Sequence, residues 1–120
     1  MIILIVEDNR HLRQLLTEIL RPAFVQSTIL EAPNVSSATA LCRETPPELV
    51  LMDVALPDGN GIALTAEIKS LLPTSKVVIV SNNQSRACQD AATTAGAAAY
   101  VFKDDVFDKL LPALALVLDQ

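Results

Sequence analysis

The stretch "LMDVALPDGNG" (residues 51–61) decides the fold class, because an apolar run ends there at a carboxylate, Asp53, and a turn follows at once. Pro57, Gly59 and Gly61 form that turn. Proline fixes φ, and glycine permits backbone conformations that other residues avoid. The stretch therefore predicts a buried strand that presents an acid at its end and then turns sharply into a helix.

Four more short apolar runs resemble this strand, and segments with helical spacing separate them. The runs are mostly continuous rather than alternating, which is typical of strands buried on both faces. We predict strands at 2–6, 27–32, 48–52, 76–80 and 98–102. We predict helices that end at Pro22, that run from Asn34 to 44, and that span 62–72, 85–95 and 105–118. This (βα)5 alternation indicates an α/β fold with a doubly wound parallel sheet.

Composition excludes several classes of function. The chain has 120 residues, a net charge of -5 and a pI near 4.6, which disfavours direct nucleic-acid binding. Cys42 and Cys88 form no metal-binding or redox spacing, and we expect both to be small buried residues of a reducing compartment. The first apolar run is too short for a signal peptide, and no run approaches the roughly 20 residues that span a bilayer. We therefore expect a cytoplasmic protein without membrane contact.

Polar residues follow the predicted strands at the edge where open α/β sheets bind ligands. Neighbouring carboxylates at about 4 Å repel by on the order of 4 kcal/mol at an effective dielectric near 20, and a divalent cation removes that cost. An all-oxygen cluster of this kind suits Mg2+. Such a site with a lysine and a nucleophilic carboxylate, best placed at Asp53, suits phosphoryl chemistry. The residues concerned are Glu7, Asp8, Asp53, Ser81 and Lys103.

Four segments in order resemble the receiver domain of response regulators: "ILIVEDN", "VLMDVALPDGNG", "VVIVSNN" and "GAAAYVFK". The resemblance covers essentially the whole chain and implies one receiver domain, 1–120. It implies a flavodoxin-like sheet of order 2-1-3-4-5. It also implies a phosphoacceptor switch of a two-component phosphorelay rather than an enzyme. The phosphoryl donor would be a sensor histidine kinase or a phosphotransfer protein.

The same resemblance implies a role for each residue of the site. Asp53 would be the phosphoacceptor. Direct Mg2+ ligands would be Asp8, Asp53 and the Ala55 backbone carbonyl, and Glu7 would bind the ion through water. Ser81 and Lys103 would contact phosphoryl oxygens, and Ser81 and Tyr100 would be the switch residues. Simpler roles also fit three of these residues: a turn cap for Ser81, a solvated loop residue for Lys103 and core packing for Tyr100.

The sequence departs from the family pattern in three places. Asp104 follows Lys103 where the family usually has proline, and "YVFKDD" resembles the subfamily with LuxR-like helix-turn-helix output domains, whose proteins regulate transcription. Pro112 falls inside the fifth predicted helix and predicts a kink or a late start. Ala55 and Asn83 occupy positions that tune hydrolysis in the family.

Two other functions remain open on the residues alone. A small Mg2+-dependent phosphatase with an aspartyl nucleophile would use a second acid two residues after Asp53, where this chain has Ala55. A pseudo-receiver scaffold would not need the acids, Ser81 and Lys103 together. The chain is either a stand-alone receiver or one cut from a longer regulator.

The fifth predicted helix is apolar all round, in "LLPALALVL" (110–118). We expect Leu110, Leu114 and Val117 to face the core. A second apolar face, Leu111, Ala115 and Leu118, then lies outside, where a contiguous apolar patch marks an interface. The alternative is that Pro112 distorts the helix and buries more of it. We expect the face built from the fourth helix, fifth strand and fifth helix to dock a second copy or a downstream output domain.

Overall fold

The computed structural model describes residues 1–119, and a parallel five-stranded sheet forms its centre. The strand order is β2-β1-β3-β6-β7, which confirms the predicted order 2-1-3-4-5. The strands are β1 Ile2–Val6, β2 Thr28–Ala32, β3 Leu49–Met52, β6 Lys76–Ser81 and β7 Ala99–Phe102. The helices are α1 Arg10–Ala23, α2 Val35–Glu44, α3 Gly61–Leu71, α4 Arg86–Ala95 and α5 Leu111–Leu118.

Sequence patterns located the strands and α2, α3 and α4 to within one or two residues. The start of α5 was placed at 105, whereas regular helix begins at Leu111, and one further strand pair was missed. The turn after Asp53 contains a short antiparallel ribbon of β4 Ala55–Leu56 and β5 Gly59–Asn60. The prediction that Pro22 ends the first helix was wrong by one residue. Pro22 lies inside α1, which continues because Phe24 N still donates to Leu20 O at 2.9 Å.

Register brings the ends of neighbouring strands to one edge. In β1 and β3, Val6 lies opposite Met52, and Asp53 N donates to Val6 O at 2.9 Å just beyond the pair. In β6 and β7, Ser81 lies opposite Phe102. The residues that follow these four positions therefore share the carboxyl edge of the sheet.

Two hydrophobic cores lie on opposite faces of the sheet. One packs α1 and α5 against the strands and includes Leu16, Leu20 and the predicted core face of α5, Leu110, Leu114 and Val117. The other core packs α2, α3 and α4 and includes Ala38, Leu64, Ile68 and Ala92. Helices therefore cover both faces, as the continuous apolar strands predicted. Within the part of the chain described, no helix has the length and apolarity needed to cross a bilayer.

The segment between β7 and α5 is irregular. A 3-10 turn spans Lys103–Asp105, a π-helical turn spans Val106–Leu110, and regular α-helix begins only at Leu111. Pro112 lies in the first turn of α5, where its missing N–H is tolerated. The late start predicted from Pro112 is confirmed, and the wider π turn absorbs the irregularity before it.

Candidate functional site

Three carboxylates meet at the carboxyl edge of the sheet. One oxygen from each of Glu7, Asp8 and Asp53 lies within 4.8 Å of the others. Glu7 is 2% exposed and Asp53 is 5% exposed, whereas Asp8 is open to solvent. Parallel pairing of β1 with β3 forces this meeting, because both strands end at the same level.

Lys103 neutralises part of this cluster. Its Nζ lies 2.8 Å from Glu7 Oε1 and 3.3 Å from Asp53 Oδ2. Burial acts to lower the pKa of Lys103, but the two carboxylates outweigh it and the pKa is raised. The side chain is therefore a cation at neutral pH, and its ammonium bridges the carboxylates that follow β1 and β3.

Glu7 is held on both of its carboxylate oxygens by the protein. Oε1 pairs with Lys103, and Oε2 accepts a hydrogen bond from Asn9 N at 3.0 Å. Burial is the main reason that the pKa of Glu7 rises to about 7, against the opposing effects of these two partners. Glu7 is thus the acid of the three least available to a further ligand.

The donor set fits a hard divalent cation. Three carboxylates face one lysine, so the cluster carries excess negative charge whenever the acids are ionised. The three carboxylates offer oxygen ligands, which Mg2+ prefers. A cavity of about 540 Å³ opens above them, lined by Asp8, Asp53, Ala55, Ser81 and Lys103 among others. The structure therefore places every predicted ligand and phosphoryl contact around one cavity.

Ser81 and Tyr100 are linked through the loop after β6. Ser81 is buried at the end of β6, and its Oγ accepts a hydrogen bond from Asn83 N at 3.0 Å. Tyr100 is half-buried on β7, and its hydroxyl donates to Asn83 O at 2.6 Å. Ser81 therefore both lines the cavity and caps the turn. Tyr100 contacts Asn83, which also lines the cavity.

Glycine at position 61 has a different role from the one predicted. Among the described residues, only Gly96 has a positive φ, so the turn does not exploit left-handed conformations at Gly59 or Gly61. A Cβ at Gly61 would instead overlap the Asp53 carbonyl oxygen. The start of α3 approaches the backbone of Asp53 so closely that only glycine fits there.

Sequence reasoning missed Arg13, which binds the backbone of the acidic pair Glu7 and Asp8. Its Nη1 donates to the carbonyl oxygens of Glu7 at 2.8 Å and Asp8 at 3.1 Å, and its Nε pairs with Glu31 at 3.1 Å. An arginine on an amphipathic helix has no sequence pattern that distinguishes this contact from solvent exposure.

Asp58 was missed in the same way. Its Oδ1 accepts from Val35 N at 2.7 Å and its Oδ2 from Ser36 N at 3.0 Å. These bonds lower the pKa of Asp58. They tie the turn after Asp53 to the first turn of α2, a contact between segments 22 residues or more apart.

The predicted interface on α5 is divided between two surfaces. Leu111 and Leu118 are half-buried against the core that includes α1, and Ala115 is exposed. A second cavity, of about 600 Å³, lies between α4, β7 and α5, and Tyr100, Phe102, Pro112 and Leu116 line it. Leu116 is 72% exposed and was not predicted as part of the interface, although a helix with Leu110, Leu114 and Val117 facing the core turns it outward.

The chain matches known proteins over nearly its whole length. A family model described as "Response regulator receiver domain" matches residues 3–115. The chain is 31% identical over 116 residues to the chemotaxis protein CheY of Halobacterium salinarum, covering 97% of this chain and 95% of that protein. It is 32% identical over 102 residues to the DNA-binding transcriptional activator DevR/DosR of Mycobacterium tuberculosis, covering 85% of this chain but 47% of that protein.

A solved structure agrees with these relatives. The structure of a LuxR-family two-component response regulator from Aurantimonas superposes with a TM-score of 0.91 at 29% identity, over 98% of this chain and 84% of that one. The chain thus spans nearly all of one curated relative and about half of another.

Proposed function

This chain belongs to the response regulator receiver domain family of two-component systems, and we propose that Asp53 is its phosphoacceptor. The observation that carries the proposal is the position of Asp53. It is a nearly buried carboxylate at the end of the central strand β3, bonded to Lys103 and beside Glu7 and Asp8. We propose that residues 1–120 form one receiver domain.

In the proposed transfer, a carboxylate oxygen of Asp53 forms a bond to phosphorus while the P–N bond of a phosphohistidine breaks. The histidine nitrogen leaves with the electron pair of that bond. Lys103 holds one Asp53 oxygen and stands ready to contact a phosphoryl oxygen. The cavity above the cluster gives the donor access.

Mg2+ is the proposed cofactor. Asp8, Asp53 and the Ala55 carbonyl would bind it directly, and Glu7 would act through water. The two protein partners on the Glu7 oxygens support that division. Bound there, the ion would offset carboxylate repulsion and neutralise phosphoryl oxygens.

Ser81 and Tyr100 form the proposed switch. The phosphoryl group adds about -1.5 to -2 charges and three acceptor oxygens beside Ser81. If the Ser81 side chain rotates and carries its Oγ towards a phosphoryl oxygen, the Oγ moves away from Asn83 N and loses that hydrogen bond. Since Asn83 O also holds Tyr100, the change reaches the face of α4, β7 and α5.

Turnover is not part of the proposal. A phosphatase with an aspartyl nucleophile needs a general acid beside the site, and the residue two positions after Asp53 is Ala55, which also lines the cavity. We therefore propose a phosphoacceptor with at most slow self-catalysed phosphorylation and dephosphorylation. Because the acids, Ser81 and Lys103 all surround one cavity, we disfavour a scaffold without phosphorylation.

The proposed partners are a histidine kinase or phosphotransfer protein as donor, and an output domain or second copy as target. A LuxR-family structure and a transcriptional activator among the similar proteins support an output in transcription. The free thiols Cys42 and Cys88 support a cytoplasmic location.

Phosphorylation of Asp53 is tested by intact mass after incubation with acetyl phosphate and Mg2+. The wild type should gain one phosphate, and Asp53→Asn should gain none, because the amide is not a nucleophile of this kind. Asp90→Asn makes the same chemical change on the exposed surface of α4 and should label like the wild type. Undiminished labelling of Asp53→Asn would sink the assignment.

Docking at the α4, β7 and α5 face is tested by sedimentation with and without beryllofluoride, a mimic of the phosphoryl group. We expect beryllofluoride to promote self-association, and Leu116→Glu to abolish it by placing a charge on the apolar cavity wall. Leu71→Glu, on an exposed leucine of α3, should keep it. A wild type that is monomeric in both states contradicts self-association at this face.

A further inference from the structure

The hydroxyl of Tyr100 lies between two structural elements. It bonds Asn83 O, in the loop after β6, at 2.6 Å, and it lies 3.3 Å from Cys88 Sγ. Cys88 is 8% exposed and sits in the first turn of α4, just after the N-cap Ser85. One phenol oxygen therefore connects β7, the loop after β6 and α4.

A count of protons ranks the two partners of the hydroxyl. A phenol has one proton to donate, and a peptide carbonyl at 2.6 Å is a better acceptor than a thiol at 3.3 Å. The Cys88 thiol is then the second, weaker hydrogen-bond partner of the same hydroxyl. Burial, followed by the neighbouring thiol, raises the pKa of Tyr100, so the phenol keeps its proton at neutral pH.

We propose that Cys88 is a positioning residue for Tyr100, and that the hydrogen bond between its thiol and the Tyr100 hydroxyl holds the ring against α4 before phosphorylation. The inference rests on the proposed role of Tyr100 as switch. It deepens that role, since a bond that favours one orientation in the resting state sets how far phosphorylation shifts the population. Cys42, a buried thiol on α2, belongs to the opposite edge of the sheet and makes no such bond in the described residues.

The composition makes this testable, because Tyr100 is the single tyrosine and the chain has no tryptophan. Labelling with 3-fluorotyrosine gives one 19F signal, and near-ultraviolet circular dichroism of the unlabelled protein reports the same ring. We compare wild type, Cys88→Ala, Cys88→Ser and Cys42→Ala without phosphorylation. Cys88→Ala should raise the population of a second 19F environment about two- to fivefold, the size of one weak hydrogen bond. Cys88→Ser, which retains a hydrogen-bonding group at the same position, should restore the wild-type spectrum.

Cys42→Ala controls for loss of a buried sulfur. It should lower the thermal midpoint without moving the 19F signal. A wild-type spectrum for Cys88→Ala, an equal change in Cys42→Ala, or no restoration by Cys88→Ser would each overturn the proposal. Intact mass after acetyl phosphate separates this test from the proposed function. If the wild type takes no phosphate, the phosphoacceptor assignment fails, while the unphosphorylated spectra still decide the role of Cys88.

Discussion

Glu7 shows how the site balances burial against charge at the scale of one residue. Its carboxyl is 2% exposed, beside the acid Asp53 and the cation Lys103. Burial dominates and raises its pKa from 4.5 to about 7. A buried acid with a raised pKa stabilises the folded state while protonated and costs stability once it ionises.

Stability without metal should therefore depend on pH through Glu7. The folded state binds this proton more tightly than the unfolded chain between pH 4.5 and about 7. The contribution is fully present below pH 4.5, and it is lost as pH rises through about 7. Urea unfolding in a chelator should show the wild type losing on the order of 1–3 kcal/mol relative to Glu7→Gln across this window. Parallel pH profiles for the two proteins would contradict the assignment.

Other residues of the site could be predicted from sequence only where a pattern names them. The acids, the hydroxyl and the amine at strand ends could be predicted, because the alternation of strands and helices in the sequence brings all strand ends to one edge of a parallel sheet. Arg13 was not readable, because its contacts run to backbone carbonyls that have no sequence identity. Cys88 was read only as a buried thiol, since its neighbour Tyr100 comes from another element.

At the scale of elements, the strands and helices followed from local signals, whereas their junctions did not. The N-cap of α2 at Asn34 and the C-cap of α4 at Gly96 are local signals of this kind. The β4–β5 ribbon and the π turn depend on packing around Asp53 and Pro112, which no local window contains.

Asp58 couples two of these elements, and its removal should loosen both. Asp58→Asn retains one acceptor oxygen, so one of the bonds to Val35 N and Ser36 N is lost. We expect a lower thermal midpoint and faster hydrogen exchange at the first amides of α2, because unsatisfied N–H groups begin the helix. The lowered pKa of Asp58 means that the wild-type advantage disappears as pH falls below 3.8 and through the folded pKa.

Asp90→Asn serves again as the control. Asp90 pairs with the exposed Arg86, and its substitution should change neither measurement appreciably. Unchanged exchange at Val35 and Ser36 in Asp58→Asn would show that the turn holds itself without this contact.

At the scale of the whole molecule, the acidic cluster adds to a net charge of -5. An ion that binds only the folded form raises its stability. Mg2+ should therefore raise the thermal midpoint more than NaCl at equal ionic strength. Asp8→Asn should raise the metal-free midpoint, because it removes a repelling charge, and should weaken the response to Mg2+. A wild type whose midpoint does not respond to Mg2+ beyond the salt effect argues against the metal site.

Alternate residues of β3 belong to opposite cores: Leu49 and Leu51 to one, Val50 and Met52 to the other. A single inserted or deleted residue within this strand would exchange the two sets and carry Asp53 away from the edge. Over evolutionary time, the strand can therefore exchange one aliphatic side chain for another but cannot change its length. Changes in length are better tolerated in the loops at the opposite edge of the sheet, such as 45–48. The number of residues in β3 that precede Asp53 is thus constrained more strongly than the identity of those residues.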